Sequence, residues 1–318
     1  MSAEILQFQK NLRLLGLDPG PLDGQSGSRT RGAAHDAASK YGWPQQTGEA
    51  TAEFMALVAA QVLKIQTAKV ALPPNYVDLT RVAATIWRKG PIAWTDRYAL
   101  TVHQSGCPLT DIPDAELAFF KQHDAITQQD TPSLMRWAKQ RQVDEDGKPA
   151  FDAQGNPLYA ALKAPFGITY SGKILQIHPV DVWGYDAQGL SKRGIGVEIA
   201  GLFCGIEGDM STRPGAPASW KVQSVTTAQI AACKELARYL KRLLQSHGSD
   251  LREIHPHRCA TDDRRPDPGS KAWKEIAIPL MAELGLTDGG PHFTLGKGTE
   301  AHMELPDAWS GQNNGIPY

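Results

Sequence analysis

Between residues 98 and 203 the chain carries four short runs rich in Ile, Val and aromatics, YALTVHQ, FGITY, KILQIHPV and GIGVEIAGLF. Each has the length and the β-branched content of a strand. Helical stretches lie between and after them. In the clearest, residues 227–245, Ile230, Leu236, Leu240 and Leu243 or Leu244 recur at helical spacing behind a Ser/Thr capping region. That stripe is apolar enough to cover one face of a sheet. Strands interleaved with helices specify an α/β domain, placed here at 95–288.

The 318 residues exceed one average domain, so a second unit is expected. Residues 1–66 supply it. Ile5, Phe8, Leu12 and Leu15 form a helical stripe that stops at Gly16, a Gly- and Pro-rich loop follows, a second helix starts near Ser28, and a third is expected over 50–64. These make a small three-helix domain. Residues 67–94, interrupted by Pro73 and Pro74, read as a linker in which VDLTRVAATIW has the pattern of a short helix. Residues 289–318, rich in Gly, Pro and Asn and without periodicity, read as a C-terminal extension.

With 33 Lys and Arg against 34 Asp and Glu, the formal charge of -1 gives no field that would draw the whole chain onto nucleic acid or anionic lipid. Its partner must be recognised locally. Cys107, Cys204, Cys233 and Cys259 form no CxxC pair and read as free thiols. No stretch reaches the ~18 apolar residues of a membrane span, and MSAEILQFQKNLRLLG lacks the basic and apolar regions of a secretory signal. The expectation is a chain made in the cytoplasm, acting alone as a monomer.

Chemistry concentrates in two places. His103 ends the run YALTVHQ, and by itself a lone histidine is a structural residue more often than a ligand. The segment IHPHRCATDDRRPDPG then gathers His255, His257, Asp262, Asp263 and Asp267 in what reads as one loop bounded by prolines and a glycine. A catalytic zinc takes three protein ligands from His, Asp, Glu or Cys and leaves a fourth position open. His103, His257 and Asp267 fit that inventory. Glu198, within GIGVEIAG, alternates to the face opposite Ile195, Val197 and Ile199. It is either an exposed strand residue or a base for an attacking water.

The set VHQ at 102–104, GIGVEIAG at 194–201, and His257-Arg258 followed by RPDPG at 265–269 resembles the zinc N-acetylmuramoyl-L-alanine amidases, whose fold is shared with peptidoglycan recognition proteins. The resemblance covers roughly residues 95–285. It implies a mixed central sheet flanked by helices, a Zn2+ ion held by His103, His257 and Asp267, and Glu198 as the residue that orients or deprotonates water. Arg265 stands where the family has Lys. It is either an oxyanion-stabilising catalytic cation or part of a structural salt bridge. Relatives carry Tyr-His before the strand FGITY, where this chain has Ala164 and Pro165. Tyr170, Trp183 or Tyr185 then lines the substrate groove or packs in the core, with Tyr185 taken as the substrate contact. His255, twelve residues before Asp267 rather than ten, is the weaker competitor for His257.

Asp23, Gly24, Gly27, Thr30 and Ala33 match D-G-x-x-G-x-x-T-x-x-A, so residues 1–66 resemble the three-helix peptidoglycan-binding domain that accompanies cell-wall hydrolases. That resemblance implies substrate contacts at Asp23, Gly24 and Thr30. The whole then reads as a peptidoglycan hydrolase that cuts the amide between N-acetylmuramic acid and L-alanine. A phage-type lysin, reaching the wall after release or specialised delivery, suits a chain without a secretory signal. The alternatives are a catalytically silent peptidoglycan-binding protein and a cytoplasmic muropeptide-recycling amidase.

Overall fold

The structure, a computed structural model, describes residues 1–44, 49–67, 70–81, 83–85, 87–105, 140–141, 148, 150–151, 154–155, 159–184, 187–203, 222–260 and 267–288. The expected C-terminal extension, 289–318, lies outside the described residues.

Helix α1 (Ala3–Leu14) starts on Ser2, whose hydroxyl accepts the Ile5 N–H, and ends before Gly16 at φ 76°. A side chain at that angle would be strained, so the helix stops there. Helix α2 (Ser28–Tyr41) ends in the same way on Gly42 at φ 65°. With α3 (Ala52–Thr67), these helices close on a core of their own, built from Phe8, Leu12, Leu15, Ala37, Phe54 and Val58. The rings of Phe8 and Trp43 meet Phe54 edge-on at 5.9 and 5.8 Å. Edge-on pairs add about 0.5–1.5 kcal/mol beyond area burial.

The main sheet has six strands in the order β1 (Tyr76–Asp78), β7 (Ile174–Gln176), β6 (Phe166–Ile168), β9 (Gly194–Ile199), β3 (Ala99–Gln104), β10 (Glu253–Pro256). All neighbours are parallel except β6 and β7. Smaller pairs join β2 (Arg88–Pro91) to β8 (Val182–Gly184) and β4 (Gln140–Arg141) to β5 (Tyr159–Ala160). The sheet is therefore mixed, as the resemblance implied, and β3, β6, β7 and β9 lie within the four strand-like runs between residues 98 and 203.

Two segments differ from their sequence reading. Among its described residues VDLTRVAATIW shows no helix: its Val77 and Asp78 belong to the sheet edge, where Val77 pairs with Leu175. Hydrogen bonding to β7 outweighs a weak local helical preference over so few residues. The stretch read as one loop from His255 onward begins instead as β10, with His255 paired to Thr101 and Pro256 to Val102. Pro256 is tolerated because β10 is the last strand of the sheet and its imide nitrogen need not donate.

The long helix α4 (Thr227–Ser246) opens with a reciprocal cap in which Thr226 Oγ1 accepts the Gln229 N–H and Gln229 Oε1 accepts the Thr226 N–H. Its buried Ile230, Leu236, Leu240 and Leu244 meet Val102, Phe166, Ile168, Val197 and Ile199 from the sheet in the principal core. Trp273 and Ile276, in a π turn (Trp273–Ala277) between the short helix α5 (Ser270–Ala272) and α6 (Ile278–Leu284), complete that layer. The Ile/Val face of the sheet is thus committed to packing. The opposite face carries His103 and Glu198, with a second apolar cluster around Leu175 toward β7.

Candidate active site

Strand register assigns the site residues to one face. His103 pairs with Glu198, Thr101 with Gly196 and with His255, and Glu198 with Gly167 on its other side. Directly opposed residues in a ladder share a face and hold their Cβ atoms about 5 Å apart. Glu198 therefore stands between the His103 imidazole and a glycine that contributes no side chain. It is half-buried, whereas every other residue of β9 is buried.

His103 and Glu198 lie near the carboxyl ends of parallel strands, and His257 begins the 3-10 turn that follows β10 at the same end. Ligand sites of open α/β sheets collect at that end. His103 Nδ1 is 2.9 Å from His257 Nδ1, and His257 Nδ1 is 2.9 Å from Asp267 Oδ2. One donor atom from each of the three lies within 4.8 Å of the others. His103 is 2% exposed and Asp267 4%, so these polar groups meet in a largely dry place. Two imidazole nitrogens and a carboxylate oxygen converging there are the donor types a divalent zinc takes.

Asp267 is oriented from both ends. Its Oδ1 accepts the Gln104 N–H at 2.7 Å, leaving Oδ2 toward His257, and its backbone carbonyl accepts the Arg258 N–H at 3.1 Å. His255, the competitor, is fully buried, and its Nε2 lies 3.0 Å from Glu253 Oε2. Burial pushes Glu253 up, but His255, Arg193 and Arg252 together outweigh it and leave the carboxyl below its ordinary range. Burial also holds the Cys259 thiol up at about 12, so without a metal it stays protonated near neutral pH. Cys233 is buried and unbridged, whereas Cys107 and Cys204 lie outside the described residues.

The family model described as N-acetylmuramoyl-L-alanine amidase matches residues 100–270, more than half of the chain and all three converging ligand candidates. The chain belongs to that family. The amidase acts on the amide bond that joins N-acetylmuramic acid to L-alanine in peptidoglycan. No curated protein matches it. Among solved structures it is similar to the endolysin amidase LysCS from Clostridium intestinale URNW, at 13% identity and TM-score 0.38, over 68% of this chain and 98% of that one. It is also similar to bumblebee PGRP-SA, at 12% identity and TM-score 0.37, over 65% and 93%. A third is human PGRP-IBETAC in complex with glycosamyl muramyl pentapeptide, at 13% identity and TM-score 0.35, over 65% and 95%.

Other expected site residues of the amidase are placed differently. Arg265 and Tyr185 lie outside the described residues, as do Asp262 and Asp263. Trp183 sits on β8 with Lys192 over its ring at 5.4 Å. Lys192 precedes the start of β9. Tyr170 follows β6 at the site end and is 39% exposed.

In the N-terminal loop, Gln9 is the hub. Its Nε2 donates to Asp23 Oδ1, Gln25 O and Thr30 Oγ1, and its Oε1 accepts the Gly24 N–H. Thr30 is 2% exposed and its hydroxyl donates to Pro19 O. Gly24 and Thr30 are both buried, and their polar groups shape the loop from inside. Asp23 is partly exposed and shares the same network.

Sequence reasoning passed over Gln104 and Ser105. Gln104 Oε1 accepts the Phe203 N–H at 2.6 Å, while Ser105 Oγ accepts the Gly201 N–H at 2.9 Å and donates to Gly201 O at 3.1 Å. Only the Gln in VHQ gave a signal, and nothing local tells that its amide reaches a residue 99 positions away.

Proposed function

We propose that the amidase is zinc-dependent, with His103, His257 and Asp267 holding one ion and Glu198 serving as general base and acid. The observation that carries this is the convergence of the two Nδ1 atoms and Asp267 Oδ2, in a family generally dependent on zinc. Zinc, when bound, lowers the pKa of water to about 7 and polarises a carbonyl. Glu198 accepts a proton from the attacking water and returns it to the departing L-alanine nitrogen, so the C–N bond breaks with a neutral amine leaving. Its partner across the strand pair is His103, so the carboxylate and the first proposed ligand share one face of the sheet. Arg265, two residues before Asp267, is proposed to stabilise the oxyanion, where a guanidinium donates two hydrogen bonds in place of the point charge of a lysine.

Residues 1–66 are proposed to bind peptidoglycan through their exposed surface and to raise the local substrate concentration by tethering. Asp23 is the motif residue with surface to offer. Release to the wall as a phage-type lysin, acting as a monomer, is part of the same proposal, and no described helix is long and apolar enough to cross a membrane. Tyr185 is retained as a proposed substrate contact.

The test is product release from purified sacculi by the wild type, the chelated protein, the zinc-restored protein and Glu198→Ala. New amino-terminal alanine should appear only with zinc and Glu198, and the variant should lose about 10²- to 10⁴-fold. Alanine release that survives chelation would refute the zinc reading, and new reducing ends would indicate a glycosidase.

A further inference from the structure

We infer that Gln104 is a positioning residue for the metal site: its side-chain amide, clipped to Phe203, fixes the peptide whose N–H orients Asp267. The inference rests on the zinc reading of the site. Three consecutive residues at the end of β3 divide the work. His103 presents its ring to the site face. Gln104 sends its N–H to Asp267 Oδ1 at 2.7 Å and its side chain to Phe203, where Oε1 accepts the N–H at 2.6 Å and Nε2 donates to the carbonyl at 3.4 Å. Ser105 closes a second clip on Gly201, and its own N–H donates to Ile199 O at 2.9 Å.

The segment being clipped is a firm anchor. Gly201 has φ 150°, and a Cβ there would lie 2.4 Å from the Phe203 ring, so backbone and ring are pressed together. Gln229 Nε2 from α4 holds Ala200 O at 2.7 Å, and Gln223 N–H holds Leu202 O at 2.7 Å. This stretch begins two residues after Glu198. An N–H points where its peptide plane points, and the plane between His103 and Gln104 carries both the first ligand and the donor to the third. Pinning Gln104 to the anchor therefore sets His103, Asp267 and the Glu198 strand in one geometry. A charge-assisted bond to Oδ1 also leaves Oδ2 as the oxygen available beside His257.

The experiment measures the zinc dissociation constant by chelator competition on the full chain, for wild type, Gln104→Met, Gln104→Glu and Ser105→Ala, with melting of each zinc-free protein. Gln104→Met keeps the bulk but not the clip, and should weaken zinc about 10- to 100-fold. It should lower kcat while leaving KM for a muropeptide in place. Gln104→Glu keeps the acceptor for the Phe203 amide and should hold zinc more tightly than Gln104→Met. Ser105→Ala loosens the same strand end without touching the Asp267 donor, and should bind zinc like the wild type. Wild-type affinity in Gln104→Met, equal loss in both Gln104 variants, or equal loss in Ser105→Ala would overturn the inference. A wild type that binds no zinc would remove the zinc reading itself, and this inference with it.

Discussion

At the scale of single residues, Asp250 shows burial working against a charge. It is 5% exposed, and burial raises its pKa above 3.8 more than Lys241, Gln245 and Arg252 lower it. Its Oδ1 is 3.0 Å from Lys241 Nζ and accepts from Gln245 Nε2 at 3.1 Å. Because the folded value is raised, the contribution of this carboxyl to stability is complete below pH 3.8 and is lost as pH rises through the folded value. Asp250→Asn does not titrate, so the stability of the wild type relative to it should fall as pH rises from below 3.8 toward neutral. Urea midpoints at several pH values read this directly, and a constant difference would contradict it. The site residues are a different case, since His103, His257 and Asp267 gain a shared role only by meeting. Their types and spacing were legible in the chain because zinc chemistry restricts the donors. The support from Gln104 was not, because a glutamine that clips a backbone has no local signature.

At the scale of elements, the N-terminal loop depends on Gln9, whose amide satisfies partners at Asp23, Gly24, Gln25 and Thr30. Gln9→Ala leaves these groups to water or to nothing, and should cost about 2–3 kcal/mol. Amide exchange at Gly24 and Gln25 should accelerate while α4 keeps its protection; unchanged exchange in the loop would refute the hub. Helix α4 is held by shape instead. Leu240 is fully buried between the sheet and the helices of residues 270–284, and Leu240→Ala should cost about 2–5 kcal/mol in denaturant unfolding. Both elements were visible in the sequence, one through its turn residues and one through its stripe. The inward direction of Gly24 and Thr30 was not, because a D-G-x-x-G-x-x-T pattern reads the same whether its polar groups face a ligand or a neighbouring helix. Short strands were missed for a related reason. Tyr76–Asp78 and Glu253–Pro256 hold too few residues to show a period, and only their partners make them strands.

At the scale of the whole molecule, the proposed zinc ion would join β3 to the turn after β10 and to the segment entering α5, so its binding and the stability of the fold would be linked. At a free zinc concentration about 100 times the dissociation constant, the linkage contributes about 2.7 kcal/mol, or a melting shift of about 5–10 °C for a unit of this size. Chelation should remove the shift and zinc restore it, and a melting point indifferent to both would refute a resident ion. The sequence by itself determined the α/β class, the helical N-terminal unit and four of the six strands of the main sheet, because periodicity and turn residues are properties of short stretches, while the family resemblance named His103, His257 and Asp267 as ligand candidates. The tertiary structure alone decided that Glu198 stands beside His103, that His103 meets His257, and that Gln104 reaches both Asp267 and Phe203. Those facts depend on strand register and on contacts 99 to 163 residues apart in the chain, which no local pattern encodes.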